Sequence, residues 1–385
     1  MAAIFTALLL AHLLTTSLSL EIHFYRNSCP RAEPIVSQVV SRHFQKDPSV
    51  PAGLLRLHFH DCFVSGCDAS VLLDSTDDNI AEKEAPPNLT LRTFDVIDDI
   101  KAELEKECRG VVSCADILAL ATRDGVALSG GAAYALPTGR RDGIVSRMED
   151  VHLPSPTFSV QEAADAFKSI NIDLGDLTTL LGGAAYALPT GRRDGIVSRM
   201  EDVHLPSPTF SVQEAADAFK SINIDLGDLT TLLGAHSVGF CHCGFFIDRL
   251  YIFRDTDSAD PQIEPGLLET LKQKCPPHVV ELANITKEPK VSMCQVSSTS
   301  FTLDNSFYLG VLNKKAILKL DQELAFTDLT GRLAAPYANN PKIFRRQFSE
   351  SMIKLGNVGV LTGQQGEIRL NCRRVNGDTS NKLRN

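Results

Sequence analysis

Between Arg56 and Asp68 the chain reads RLHFHDCFVSGCD, a stretch that crowds one arginine, two histidines, two aspartates and two cysteines together. Three chemistries use such crowding: a zinc site, a redox thiol pair, or acid and base groups over a bound cofactor. On a helix, residues four apart share a face and residues two apart do not. Arg56 and His60 therefore point the same way, with Phe59 beside them, while His58 and His60 diverge, which disfavours a zinc pair. Cys62 and Cys67 have the wrong spacing for a C-x-x-C redox motif, and a short disulfide loop containing Gly66 fits them better. A paired Arg and His suit peroxide chemistry. A neutral imidazole takes a proton from one oxygen and delivers it to the other, while a permanently charged guanidinium stabilises the separating negative oxygen. The plain alternative is a surface Arg beside a satisfied core His. A second histidine, His236 in GAHSVG, sits among small residues that let something bulky approach its ring; taken alone, a structural role suits it better.

The elements that must carry these residues read mostly helical. AEPIVSQVVSRHFQ has helical apolar spacing, and VPAGLLRLHFHDCF follows with Pro51 placed to start a helix. TFDVIDDIKAELEKEC is amphipathic, and SCADILALATRDGVALS has Ser113 as a candidate cap. DLTTLLGAHSVGF, NSFYLGVLNKKAIL and PKIFRRQFSESMIKLGNV fit the same period, while strand-like alternation is scarce. The expected fold class is mostly α, one globular unit of two helical lobes, with an irregular tail pinned by Cys372. Within 385 residues, 43% are apolar, enough for a sizeable core, and the net charge of −9 argues against a nucleic-acid backbone as partner.

MAAIFTALLLAHLLTTSLSL is apolar and uncharged, short for a bilayer span, and ends in the small residues Ser17 and Ser19. Residues 1–20 therefore read as a signal peptide and 21–385 as a single secreted domain, with no membrane partner. Ten cysteines follow, at 29, 62, 67, 108, 114, 241, 243, 275, 294 and 372. In an oxidising compartment most should pair, and their wide, irregular spacing resembles staples on a large fold rather than a zinc framework.

One block is duplicated. Residues 130–181 are repeated identically at 182–233, and 333 residues remain without one copy. A repeat array would show several diverged copies. Only one copy can fill one place in a core. The second leads directly into LLGAHSVG, so it is expected to occupy the native place and the first to be extruded.

RLHFHDCFVSGCDASVLLD, SCADILALATRDGV, GRRDG and GAHSVG together resemble the secretory plant haem peroxidases (class III, guaiacol type), over nearly the whole mature chain apart from one copy of the block. The resemblance implies a two-lobed helical fold around haem b, with His236 as the proximal iron ligand and Asp321 accepting its Nδ1–H. It makes Arg56 and His60 the distal pair and Phe59 the distal aromatic. Asn88 would hold His60 Nδ1–H, with the Glu82 carboxylate behind it. The implied reaction reduces hydrogen peroxide and oxidises two phenolic donors by one electron each. Pro206, or its duplicate Pro154, and Phe245 would line the donor entrance.

The resemblance also implies disulfides Cys29–Cys108, Cys62–Cys67, Cys114–Cys372 and Cys243–Cys275, leaving Cys241 and Cys294 over as a further pair or, preferably, free thiols. A distal calcium would use Asp61, Val64, Gly66, Asp68 and Ser70, alternating hard oxygens in one tight loop. A proximal calcium would use Ser237, Thr302 and Asp304 with Ser297 or Thr299, but its other carboxylate falls on Cys294 or Val296, so this site should be weak or empty. The family's usual Trp before GRRDG is Tyr134 or Tyr186. Of two glycosylation sequons, Asn284 is the credible one, because Asn88 should be buried beside His60. The protein is expected to act as a monomer in lignin or suberin coupling, wall cross-linking and peroxide removal. Two other readings are a non-catalytic wall protein whose haem site the duplication disrupts, and an intracellular ascorbate-type peroxidase, which the signal peptide and eight matched cysteines disfavour.

Overall fold

The computed structural model describes residues 20–77, 79–148, 151, 212–222, 224–277, 286–296, 300–326 and 328–377. The first lobe holds α1 (Ala32–Lys46), α2 (Val50–Cys62), α3 (Phe94–Glu107) and α4 (Cys114–Leu128). Pro51 sits in the first turn of α2, and Ser113 caps α4 by accepting from Asp116 N at 3.1 Å. Helix α3 is amphipathic and buries Val96, Ile97, Ile100 and Leu104. Helix α4 is buried along almost its whole length because α1, α2 and α3 all pack against it. That packing forms one core, of Val36, Leu54, Leu57, Ile97, Ile117 and Leu120 among others.

The second lobe holds α5 (Val212–Ser221), α6 (Leu226–Leu232), α7 (Ile247–Tyr251), α8 (Pro265–Lys274), α9 (Ser306–Leu312), α10 (Lys319–Glu323), α11 (Asp328–Asn339) and α12 (Pro341–Leu355). Phe219, Leu229, Phe307, Tyr308, Phe344 and Phe348 form its core, which reaches Phe63 and Leu55 of the first lobe. Strand among the described residues is limited to two antiparallel pairs. Strand β1 (Glu21–Ile22) pairs with β2 (Pro137–Thr138), and β3 (Phe240–His242) with β4 (Lys290–Ser292). The fold is mostly α.

Disulfides join Cys29–Cys108, Cys62–Cys67, Cys114–Cys372 and Cys243–Cys275, while Cys241 and Cys294 are buried free thiols.

Both copies of the duplicated block contribute described residues to the fold. From the first copy, Gly130–Met148 lie in the fold, and the second contributes from Val212 onward. The GRRDG segment in the core is therefore residues 139–143. Arg140 is fully buried, donates to Asp116 Oδ1 at 2.8 Å, and its Nε donates to Gly356 O at 2.8 Å. Residues 130–148 of the first copy thus lie in the fold, where the second copy was expected. The reason is connectivity: Gly130 continues directly from α4, and α6 runs directly into His236. At both ends the described residues come from the copy nearest along the chain. Residues 152–211 lie outside the described residues.

Candidate active site

Helix α2 brings Arg56, Phe59 and His60 to one region, as i, i+3 and i+4 positions must. Arg56 Nε donates to His60 Nε2 at 3.3 Å, and Arg56 Nη2 donates to Pro87 O at 3.1 Å. On the far side of the ring, His60 Nδ1 lies 2.7 Å from Asn88 Oδ1. Asn88 Nδ2 donates to Glu82 O at 2.7 Å, so the amide oxygen is the atom left to face the imidazole. His60 therefore carries its proton on Nδ1 and keeps a lone pair on Nε2. Glu82 holds Asn88 through its backbone carbonyl.

Burial first, and the Arg56 charge second, push His60 down to about 3, against a weaker opposing effect of Asn88. The imidazole is neutral at any physiological pH, the state a proton acceptor needs. Arg56 is pushed down to about 10 by burial, which leaves it cationic at neutral pH. The Phe59 ring lies 4.1 Å from Phe63 and 6.1 Å from Phe219 of α5, so an aromatic cluster walls this side.

His236 lies in the short 3-10 turn Leu233–Ser237 that continues α6. Its small neighbours have two different causes. A side chain at Gly234 would run into the Phe344 ring and the Tyr308 hydroxyl. Gly239, at φ +91°, brings the segment against Ala52 of α2, where the two lobes meet. His236 Nδ1 is 3.0 Å from both oxygens of Asp321 on α10. Asp321 is 1% exposed and His236 31%, so the carboxylate is sealed while the ring opens to its other side. With Nδ1 committed to Asp321, Nε2 is the nitrogen with a lone pair to offer.

Cys241 lies within electrostatic reach of both Asp321 and Arg56. Burial pushes its thiol up; the Asp321 charge adds to this and the Arg56 charge opposes it. The arginine of one lobe and the aspartate of the other thus border a common region.

The loop after α2 gathers Asp61, Val64, Gly66, Asp68 and Ser70. Asp61 Oδ2 accepts from Ala69 N at 3.1 Å, and Asp68 Oδ1 accepts from Ser70 N at 3.0 Å. Asp61 Oδ1 and Ser70 Oγ are buried without a hydrogen-bond partner among the described residues. Burial, and then the Asp68 charge, hold Asp61 well above the usual carboxylate range; Asp68 is pushed up to about 6, chiefly by burial. Two crowded buried carboxylates and unpartnered oxygens are what a hard divalent cation would satisfy. Arg369 braces this loop, donating to Ala69 O at 2.9 Å and Gly143 O at 2.8 Å, and Asp142 holds Arg369 N at 2.7 Å.

The other calcium set differs. Ser237 Oγ accepts from Asp304 N at 3.3 Å, and Asp304 Oδ1 accepts from Ser306 N at 2.9 Å. Thr302 is half-buried; Ser297 and Thr299 lie outside the described residues. Of the two positions that could supply the missing carboxylate, Cys294 packs its thiol 3.3 Å from Ser306 Oγ and Val296 is exposed. Neither supplies a side-chain oxygen where the resemblance places a carboxylate. Pro154, Pro206, Tyr186, Asn284 and residues 1–19 also lie outside the described residues. Phe245 is half-buried beside the Cys243–Cys275 cluster.

A two-lobed helical fold with an Arg–His–Asn chain on one lobe and a carboxylate-held histidine on the other defines a peroxidase. The peroxidase family model matches residues 36–185 and 179–340, two matches that overlap inside the duplicated block. Peroxidase 57 of Arabidopsis thaliana is 41% identical over 357 residues, covering 93% of each chain. Peroxidase 28 of the same plant is 38% identical, again over 93% of each chain, and Peroxidase 5 of Vitis vinifera 37%, over 93% of this chain and 92% of its own. The chain belongs to the peroxidase family, in its plant class III branch, and is an enzyme of that activity.

Proposed function

We propose that this peroxidase uses haem b, with His236 Nε2 as the iron ligand, to reduce hydrogen peroxide at the expense of small phenols. The residues fit the group: Asp321 occupies His236 Nδ1 and leaves Nε2 to bind. When bound, haem b supplies the two electrons that cleave the O–O bond and recovers them one at a time from two phenol molecules.

The chain's own residues manage the protons and charges. His60 Nε2 accepts a proton from one peroxide oxygen and returns it to the departing one, which leaves as water. Arg56 stabilises the negative charge on that departing oxygen. Asn88 keeps the Nδ1–H tautomer, so Nε2 is always the accepting atom. Asp321 orients His236 and makes it a more basic ligand. Asp61, Val64, Gly66, Asp68 and Ser70 hold one calcium, which ties down the end of α2. Pro206 and Phe245 orient aromatic donors. Secretion after cleavage near residue 20, a glycan on Asn284, a monomeric state, and roles in wall cross-linking and peroxide removal belong to the same reading. One copy of the duplicated block is surplus to the fold.

The observation that carries this reading is the Arg56–His60–Asn88 hydrogen-bond chain with a neutral His60. His60→Leu should lower the rate with hydrogen peroxide by about 10²–10⁴-fold at an unchanged haem content. A rate within twofold of wild type would remove His60 from the mechanism.

A further inference from the structure

Helix α12 begins with cations. Lys342, Arg345 and Arg346 lie in its first two turns, and the first turn has no acidic residue. That is the helix end where the macrodipole disfavours positive charge. The whole chain carries −9, so this cluster also runs against its overall charge. The three side chains border a surface cavity of about 350 Å³ between α12 and the segment Ala132–Tyr134. The volume lies within the range of small-molecule sites.

The cavity wall is built rather than incidental. Ser349 Oγ lies 3.1 Å from Ala132 O and ties the segment to α12. Ala132, Ala133, Tyr134 and Ile353 make much of the wall apolar. Glu350 is the lone acidic residue at the rim, and it is engaged with Arg346 at 3.4 Å. The lining thus offers an apolar floor and a surplus of positive charge. A neutral aromatic would leave those charges uncompensated, and a bare inorganic anion would leave the floor unused.

We propose that this cavity binds a small organic carboxylate with an apolar body, its carboxylate seated against Arg345 and Lys342. The site is formed by residues that play no part in the peroxide chemistry, so it is a second ligand site of the enzyme.

The test is calorimetric titration of the full-length holoenzyme with cyclohexanecarboxylate, which is not a phenol and cannot serve as a donor. Saturable binding is expected, with the neutral cyclohexanecarboxamide at least about tenfold weaker, because charge-assisted hydrogen bonds carry the affinity. Arg345→Gln should weaken the carboxylate by about tenfold or more. The exposed double variant Lys342→Gln/Arg346→Gln should also weaken it, and it leaves the core untouched should Arg345→Gln fail to fold. No saturable binding, equal binding of the amide, or equal binding by the folded variants would each overturn the proposal.

Discussion

Replacing Asn88 with valine tests how much of the peroxide chemistry depends on one amide. His60 is 7% exposed and Asn88 2%, so water does not readily replace the lost acceptor. The 2.7 Å contact to Asn88 Oδ1 is what favours the proton on Nδ1. In Asn88→Val that N–H is buried and unpaired, a penalty of roughly 1–3 kcal/mol. Arg56 Nε still donates to Nε2, so the loss falls on the imidazolium that forms when Nε2 accepts from peroxide, whose Nδ1–H no longer has an acceptor. At about 1.4 kcal/mol per tenfold, the rate falls roughly 5- to 150-fold. The assay is the second-order rate with hydrogen peroxide by stopped flow at pH 7, on protein of equal haem content. Asn88→Asp provides the control. Its carboxylate still accepts from Nδ1–H, so the neutral-pH rate should largely survive. Its charge favours the imidazolium, so the acid limb should move up from about pH 3. If Asn88→Val kept a rate within twofold of wild type, the Asn88 hydrogen bond would have no part in proton acceptance by His60.

His58 and His60 are both buried and both pushed down to about 3. The unfolded chain binds their protons near pH 6.5 and the folded chain does not, so their contribution is fully present above pH 6.5 and is lost as pH falls toward 3. Urea midpoints should fall steadily across that window and fall less steeply in His58→Leu; parallel slopes would refute this. Chelation with EGTA should remove one calcium per chain, not two, and lower Tm by roughly 3–5 °C, the scale of a few kcal/mol of ligand linkage in a chain of this length; two ions released by metal analysis would contradict the reading of Cys294 and Val296. Deleting residues 130–181 leaves the same core sequence, so the shortened chain should keep peroxide turnover within about twofold; loss of folding would mean that the surplus copy supports the fold.

The distal side was the most legible part of the chain because its geometry is local. Arg56 and His60 are one helical turn apart, and a helix over 50–62 suffices to align them. The pairing of His236 with Asp321 joins separate elements, so it came from resemblance rather than spacing. The same holds for the disulfide between Cys114 and Cys372, 258 residues apart. GRRDG served in the sequence only as a family marker. Its work is long-range: Arg140 neutralises buried Asp116, and Asp142 positions Arg369 against the loop of Asp68. A charged triplet beside a buried helix start was the available signal. The Glu82 carbonyl contact to Asn88 carries no signal in the sequence, because any residue has a carbonyl. The duplicated block is legible only in part. Identical copies cannot be told apart by sequence, and connectivity places residues 130–148 after α4 and the segment from Val212 before His236.

The central claim is that His236 is the iron ligand and His60 the proton acceptor of a working haem peroxidase. The most direct measurement is the absorption spectrum of the purified 385-residue protein and of His236→Ala, each followed by hydrogen peroxide and guaiacol. The account predicts a Soret band and guaiacol oxidation in the wild type, with both lost or greatly diminished in His236→Ala. A folded wild-type protein that binds no haem, or a variant that binds haem and turns over as the wild type does, would contradict it.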